Sequence, residues 1–274
     1  MRMTLAMAAL LLLNPRLSPA AHLSRPAEQA FESYITNLEA RWKRQHAASD
    51  TCLAALPPAG ASRADAERKL LAGVVLAEPV HGGSWEVDGG LLHHWRAASY
   101  VPGAGLADML ALLHDDSQLS RYYAPEIVSS RSPDGDGTVL IRFRRQLVIT
   151  VVLDAAFDTE SAIAGDCGYS FSRSEHIWQV DDPGNAREHR RPEGADDGFL
   201  WRLNSYWSFQ EWRQGLLIEC EAVSLTRGVP AGLGWLLAPI IQTLPRNSLE
   251  FTLTSTRNAL AHIAMGGHTD ASAN

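Results

Sequence analysis

The sequence predicts an α+β domain in which a curved, seven-stranded antiparallel sheet wraps a long C-terminal helix, with a helical extension in front. Three observations predict it. Apolar residues recur with helical spacing up to residue 71, alternate with a period of two from Ser84, and return to a helical stripe after Pro245. Gly, Asp and Pro clusters separate the alternating runs, as turns separate antiparallel strands. The closing stripe of Leu249, Leu253, Thr256, Leu260 and Ile263 advances by alternate steps of four and three, which makes it narrow enough to lie along a sheet.

Taken in order, the chain opens like a signal peptide over residues 1–20. Arg2 gives a positive start, residues 5–13 are uninterruptedly apolar, and Ser18 and Ala20 permit cleavage before Ala21. The apolar run is too short to span a bilayer, which takes about 20 residues. Export to the periplasm or secretion is therefore the expectation. Residues 21–83 read as the helical extension. Phe31, Tyr34, Ile35, Leu38 and Trp42 share one face of a helix over 26–46. A breaker-rich linker spans 57–62, and Ser62 with Asp65 resembles a capping box opening a second helix through Leu71.

Strands are expected over 85–101, 125–131, 137–145, 147–158, 167–180, 198–209 and 215–227, with one helical insertion at Leu106–His114. The run Asp134, Gly135, Asp136, Gly137 lacks the later ligands of a calcium loop and reads as a hairpin turn. Asn247 and Glu250, behind Pro245, carry the signature of a helix start, and Gly266 with Gly267 is expected to end that helix. The sheet domain thus covers 84–267, leaving 268–274 as a disordered tail.

The hairpin over 198–227 is the most informative segment. Phe199, Trp201, Leu203, Trp207 and Phe209 fall on one face; Arg202, Asn204 and Tyr206 fall on the other. A turn centred near Trp212 and Arg213 would set Asn204 opposite Glu221, Tyr206 opposite Glu219, Trp207 opposite Ile218 and Leu203 opposite Ala222. Both faces then stay consistent across two strands, which a one-residue slip would destroy.

One strand, a helical insertion, six more strands and a long last helix form an order similar to the START/Bet v 1-like superfamily. The text is similar too: His94-Trp95-Arg96, the run from Val101 to Ala104, Tyr123 to Arg131, Phe199 to Trp207, and Gly232 to Leu253 resemble bacterial START-like, polyketide-cyclase-like (SRPBCC) proteins. The resemblance covers about residues 85–265. It implies a helix-grip fold and an internal cavity for lipids, sterols, hormones or polyketides. A shared fold does not choose among those functions, and only some members catalyse a reaction.

Against this background Arg202, Asn204, Tyr206, Glu219 and Glu221 are the sharpest constellation. They either orient a ligand inside the cavity or decorate a solvated sheet face. The apolar segment 232–244, with Trp235, Leu237 and Ile241, reads as a buried turn or as a mobile gate touching ligand or lipid. Leu253 on the last helix would line the cavity. Glu219 and Glu221 project from one face and do not flank a bond as glycosidase carboxylates do. His93 and His94 point to opposite faces; with His81, His114 and His176 they offer no metal-ligand spacing. No metal or cofactor is expected, and no nucleophile elbow, Walker loop or dinucleotide fingerprint is present.

A formal net charge of −7 disfavours a nucleic-acid partner and simple attachment to anionic lipid. Cys52, Cys167 and Cys220 form no disulfide framework or CxxC site, so buried thiols are expected. The reading is a binder or carrier of a hydrophobic small molecule, with no membrane span and at most transient membrane contact. The alternatives are a cyclase or aromatase moving protons with Tyr206, Glu219 or Arg202, and an envelope protein-interaction module.

Overall fold

The computed structural model describes residues 22–47, 52–54, 56, 60–133, 138–146, 150–192, 194–228 and 234–271; side chains at 234–242 and 265–271 lie outside that description. The expected signal peptide and the turn at 134–137 lie outside it as well.

Helix α1 spans Arg25–Gln45 and α2 spans Ala61–Leu71. Ser24 caps α1 by accepting the Ala27 N–H at 3.2 Å, and the helix buries Phe31, Ile35, Leu38 and Trp42 as its spacing predicts. α2 begins after Gly60 without a side-chain cap. Asp65 pairs with Arg68 and Lys69 instead of closing the expected capping box.

The sheet strands are β1 (Leu76–Val87), β2 (Gly90–Pro102), β3 (Ile127–Arg131), β4 (Thr138–Gln146), β5 (Thr150–Ala164), β6 (Cys167–Asp181), β7 (His189–Arg190), β8 (Arg202–Trp212) and β9 (Gly215–Thr226). Their order across the sheet is β1-β2-β9-β8-β6-β5-β4-β3, all antiparallel, with β7 beside β6. Between β2 and β3 lie α3 (Leu106–His114), a 3-10 turn (Asp116–Gln118) and the one-turn α4 (Leu119–Tyr122). The last helix, α5, runs from Gly234 to Ala271.

Two strands exceed the expected seven. The single strand foreseen over 85–101 is a hairpin, and the sheet starts at Leu76 rather than at 84. Pro79, Gly82 and Gly83 hide β1, because they break its alternation; the pairing register shifts between Pro79 and Ser84. The chain reverses at Asp88 and Gly89. Gly89 has φ +82°, and a Cβ there would collide with the Ser24 hydroxyl, so this glycine also lets the cap of α1 dock on the turn.

In the β8–β9 hairpin Tyr206 faces Glu221, Trp207 faces Cys220 and Asn204 faces Val223. The central turn residues are Arg213 and Gln214, with φ +47° and +58°, as a two-residue type I′ turn requires. The expected turn lay one residue earlier, and the expected pairing is off by two. A slip of two returns every side chain to its own face, which is why the face assignment survives the wrong register.

α5 is longer than expected at both ends. Gly266 and Gly267 stay helical, Pro239 and Pro245 lie inside it, and Glu250 pairs with Arg246 at 2.9 Å rather than capping an end. Local breakers are weak determinants in a helix anchored elsewhere by packing. Leu249, Leu253, Thr256 and Leu260 are all buried, so the expected stripe is the anchor.

Two layers cover the sheet. α3 and α5 pack on one face with Ala97, Val101, Trp207, Phe209, Ile218 and Cys220, the arrangement of a helix-grip fold. α1 packs on the other face with Leu92, Phe171, Tyr206, Val223 and Leu225, and α2 sets Leu70 beside Ala98, Tyr100 and Leu217. Cys52 and Cys167 form a disulfide with Cα atoms 6.3 Å apart, tying the extension to the start of β6. This corrects the expectation of three buried thiols; Cys220 alone is free, and it is buried. Sequence spacing cannot reveal a pair that the fold brings together across 115 positions.

Candidate ligand site

The inner face, under α5, is built by alternate residues of four neighbouring strands. Pairing places Ala97, Cys220, Trp207 and Ser170 in one row, and Ser99, Ile218, Phe209 and Gly168 in the next. A Cβ on Gly168 would overlap the Phe209 ring, so the glycine lets that ring lie across β6. Met109 and Leu112 of α3, with Leu249, Leu253 and Leu260 of α5, pack with these rows as one apolar core.

Into this core the sheet sends a few polar atoms. Ser99 and Ser170 are 0% and 1% exposed, and neither hydroxyl has a hydrogen-bond partner among the described residues. The indole N–H of Trp95, on the same face, is likewise unpartnered. Tyr123 differs: its hydroxyl donates to Thr256 Oγ1 at 2.9 Å, because that threonine spends its own proton on the Thr252 carbonyl. Burial pushes the Tyr123 phenol up to about 12. Nearer the sheet edge, His93 is bonded to Ser84 Oγ at 2.8 Å and Thr226 Oγ1 at 3.0 Å, and burial lowers its pKa to about 4.

The polar set foreseen as cavity-lining belongs to the other face. Glu221 Oε2 accepts from Arg41 Nη2 at 2.6 Å and from His94 Nε2 at 2.9 Å, with Arg96 Nη2 at 3.3 Å from Oε1. His94 Nδ1 then accepts the Tyr34 hydroxyl proton at 2.6 Å. Burial alone would raise the Glu221 carboxyl, but the His94 hydrogen bond and the charges of Arg96 and Arg41 hold it at about 2. Tyr206 donates to Glu39 at 2.9 Å and receives Asn204 Nδ2 at 3.3 Å; Arg202 pairs with Glu28. Glu219, 1% exposed, pairs across the strands with Ala98 and Ser208 on that same face.

Thus Arg202, Asn204, Tyr206, Glu219 and Glu221 neither line the grip nor face solvent. Glu221, Tyr206 and Arg202 hold the extension to the sheet through Arg41, Glu39 and Glu28 of α1, and Asn204 supports Tyr206. The correction has a simple cause: α1 carries Glu28, Glu39 and Arg41 as long-range partners, so the polar face of the hairpin is covered rather than wetted. The foreseen proton-moving groups Arg202, Tyr206 and Glu219 face away from this apolar core. Leu253 is fully buried in the core between α5 and the inner face. Trp235, Leu237 and Ile241 stand on the first turns of α5, their side chains outside the described residues. His93 and His94 take opposite faces, as expected.

The sequence reading missed Trp95, Ser99 and Ser170, although Trp95, Ala97, Ser99 and Val101 alternate plainly along β2. It also missed a three-donor cluster on the outer face: His46, Cys52 and Cys167 bring one nitrogen and two sulfurs within 4.8 Å of one another. No described helix is long and apolar enough to cross a membrane.

No protein-family model and no curated protein sequence matches the chain. Solved structures similar to it include a START superfamily protein from Mycobacterium smegmatis, at 13% identity and TM-score 0.42, covering 62% of this chain and 99% of that one. A STAR-related lipid transfer protein from Xanthomonas axonopodis matches at 16% identity and TM-score 0.39, over 65% of this chain and 98% of that one. The Zhui aromatase/cyclase from Streptomyces sp. R1128 matches at 13% and 0.36, over 64% and 93%. What this chain itself shows is an antiparallel sheet packed against its long last helix.

Proposed function

We propose that the protein binds and carries a hydrophobic small molecule, lipid- or polyketide-like, between the inner face of the sheet and α5. One observation supports this most. Ser99 and Ser170 are buried with no hydrogen-bond partner among the described residues, an arrangement that destabilises the fold by about 1–3 kcal/mol per group unless something else bonds to them. A mainly apolar guest with one or two polar atoms meets both requirements. Carriage is preferred to cyclisation because the acid and base candidates of the hairpin lie on the other face.

Titration with a fluorescent fatty acid and a fluorescent sterol tests the reading. Saturable binding of either, weakened by Leu253→Asp in protein that keeps its fold, is the expected result. Uptake of neither would refute carriage and favour the interaction-module reading. Ile241→Asp should slow uptake if the first turns of α5 act as the gate.

We also propose that the protein works after export, in the periplasm or outside the cell. The leader-like residues 1–20 support this, and so does the Cys52–Cys167 disulfide, a bond that persists in oxidising compartments. Intact-mass measurement on protein from a secreting host should show loss of about 20 residues. A full-length cytosolic product would refute it.

A further inference from the structure

We infer that His46, Cys52 and Cys167 form a zinc site when their disulfide is reduced. The site lies on the outer face, away from the proposed apolar pocket, and does not depend on it. Its three donor atoms sit within 4.8 Å of one another and come from three places: the C-terminal cap of α1, the segment after it, and the first residue of β6.

The imidazole is already set for a metal. His46 Nδ1 lies 2.9 Å from the Trp42 carbonyl oxygen, which can only accept, so Nδ1 carries the proton. Its lone pair is then on Nε2, the nitrogen that faces the Ser208 hydroxyl at 3.0 Å. Donation of the distal N–H to a backbone carbonyl is the usual support of a metal-ligating histidine. The Trp42 ring at 4.3 Å and the Tyr169 ring at 5.2 Å hold the imidazole plane.

The donor chemistry selects the ion. Two sulfurs and one imidazole suit zinc, while calcium and magnesium require oxygen ligands. Cys52 and Cys167 are 0% and 5% exposed, and two thiolates cancel the charge of a divalent cation, so the filled site buries no net charge. The reaction sequence balances. A dithiol gives two electrons and two protons to the bridge and becomes a disulfide itself, leaving two cysteine thiols. Zinc then binds both sulfurs, and their protons pass to solvent. The ion replaces the covalent bridge as the tether between the extension and β6.

The test uses the full chain, reduced with a dithiol, freed of it without air, and shown by thiol titration to carry three thiols. Cobalt(II), the spectroscopic stand-in for zinc, should bind one to one, with a sulfur-to-cobalt charge-transfer band and tetrahedral visible bands. Zinc should erase both. His46→Ala and Cys167→Ser should weaken binding at least tenfold, whereas Cys220→Ser should leave it unchanged. Absence of the charge-transfer band in the three-thiol protein overturns the inference. So does a band that persists in both His46→Ala and Cys167→Ser. If the reduced chain has lost its fold, zinc must restore its circular dichroism, and failure to do so also overturns it.

Discussion

The outer face of the sheet and its inner face bury polar groups to a similar depth on opposite terms. Glu221, 1% exposed, is met by His94, Arg41 and Arg96, and Tyr34 of α1 bonds His94 in turn; beside them Tyr206 bonds Glu39 of α1. Ser99 and Ser170 are buried as deeply on the inner face, yet no described residue bonds to them. The outer groups are compensated by opposite charge, although Glu221 Oε1 and Arg96 Nε lack a hydrogen-bond partner among the described residues. The inner hydroxyls have no such compensation and are unfavourable in the empty protein unless an added partner bonds to them. The difference teaches that the sharper-looking constellation of charges holds the extension to the sheet, whereas the proposed binding function draws on the plainer, unpartnered serines.

The largest test of this contrast is Glu221→Ala. It strands His94, Arg41 and Arg96 beside a hole, and urea unfolding should show a loss of about 3–5 kcal/mol. A loss below about 1 kcal/mol would mean that the outer network behaves like a solvated surface. Trp207→Ala on the inner face should lose a similar amount, about 3–5 kcal/mol. The two variants part company when an apolar probe is added. The probe should recover part of the Trp207→Ala loss by filling the space, and none of the Glu221→Ala loss; equal recovery in both would break the contrast.

Acid separates the faces next. The His93 pKa is lowered to about 4 in the folded chain, so the unfolded chain takes up that proton first, and stability falls as pH drops from about 6.5 to about 4. Burial lowers His94 as well, adding to the same fall. Glu221 is held at about 2 against an ordinary 4.5, so its contribution is present above 4.5 and is lost as pH falls from 4.5 towards 2. Urea midpoints across this range should fall less steeply in the upper window for His93→Gln, His94 supplying what remains, and keep the lower window. The smallest expected effect is Ser99→Ala, which removes an unpartnered hydroxyl. The empty protein should gain about 1 kcal/mol while binding its ligand more weakly. Lower stability with unchanged binding would mean that the hydroxyl has a partner in the folded chain.

Much of this architecture was legible in the sequence, because strand alternation and helix stripes are local. The Leu249 to Ile263 stripe, the α3 range and the two faces of the β8–β9 hairpin are of that kind. β1 was not, since Pro79, Gly82 and Gly83 give it a broken alternation that only pairing with β2 makes regular. Nor was the covering of the polar face. Arg41 and Glu221 lie 180 positions apart, and nothing in either neighbourhood announces the other. Parity along β2 could have named Ser99. What the sequence lacks is any mark that this hydroxyl goes unpartnered.

The strand order carries a kinetic consequence. β2 pairs on one side with β1, made just before it, and on the other with β9, so that Leu91 waits for Thr226. Loop closure over that distance is entropically unfavourable, and folds dominated by such pairings form slowly. During synthesis β2 and its hairpin partner therefore emerge as an open edge, with Ala97 and Val101 uncovered until β9 arrives and α5 can seat. The chain stays threadable through most of its own production, and for that same interval it is at its most prone to stick to other chains.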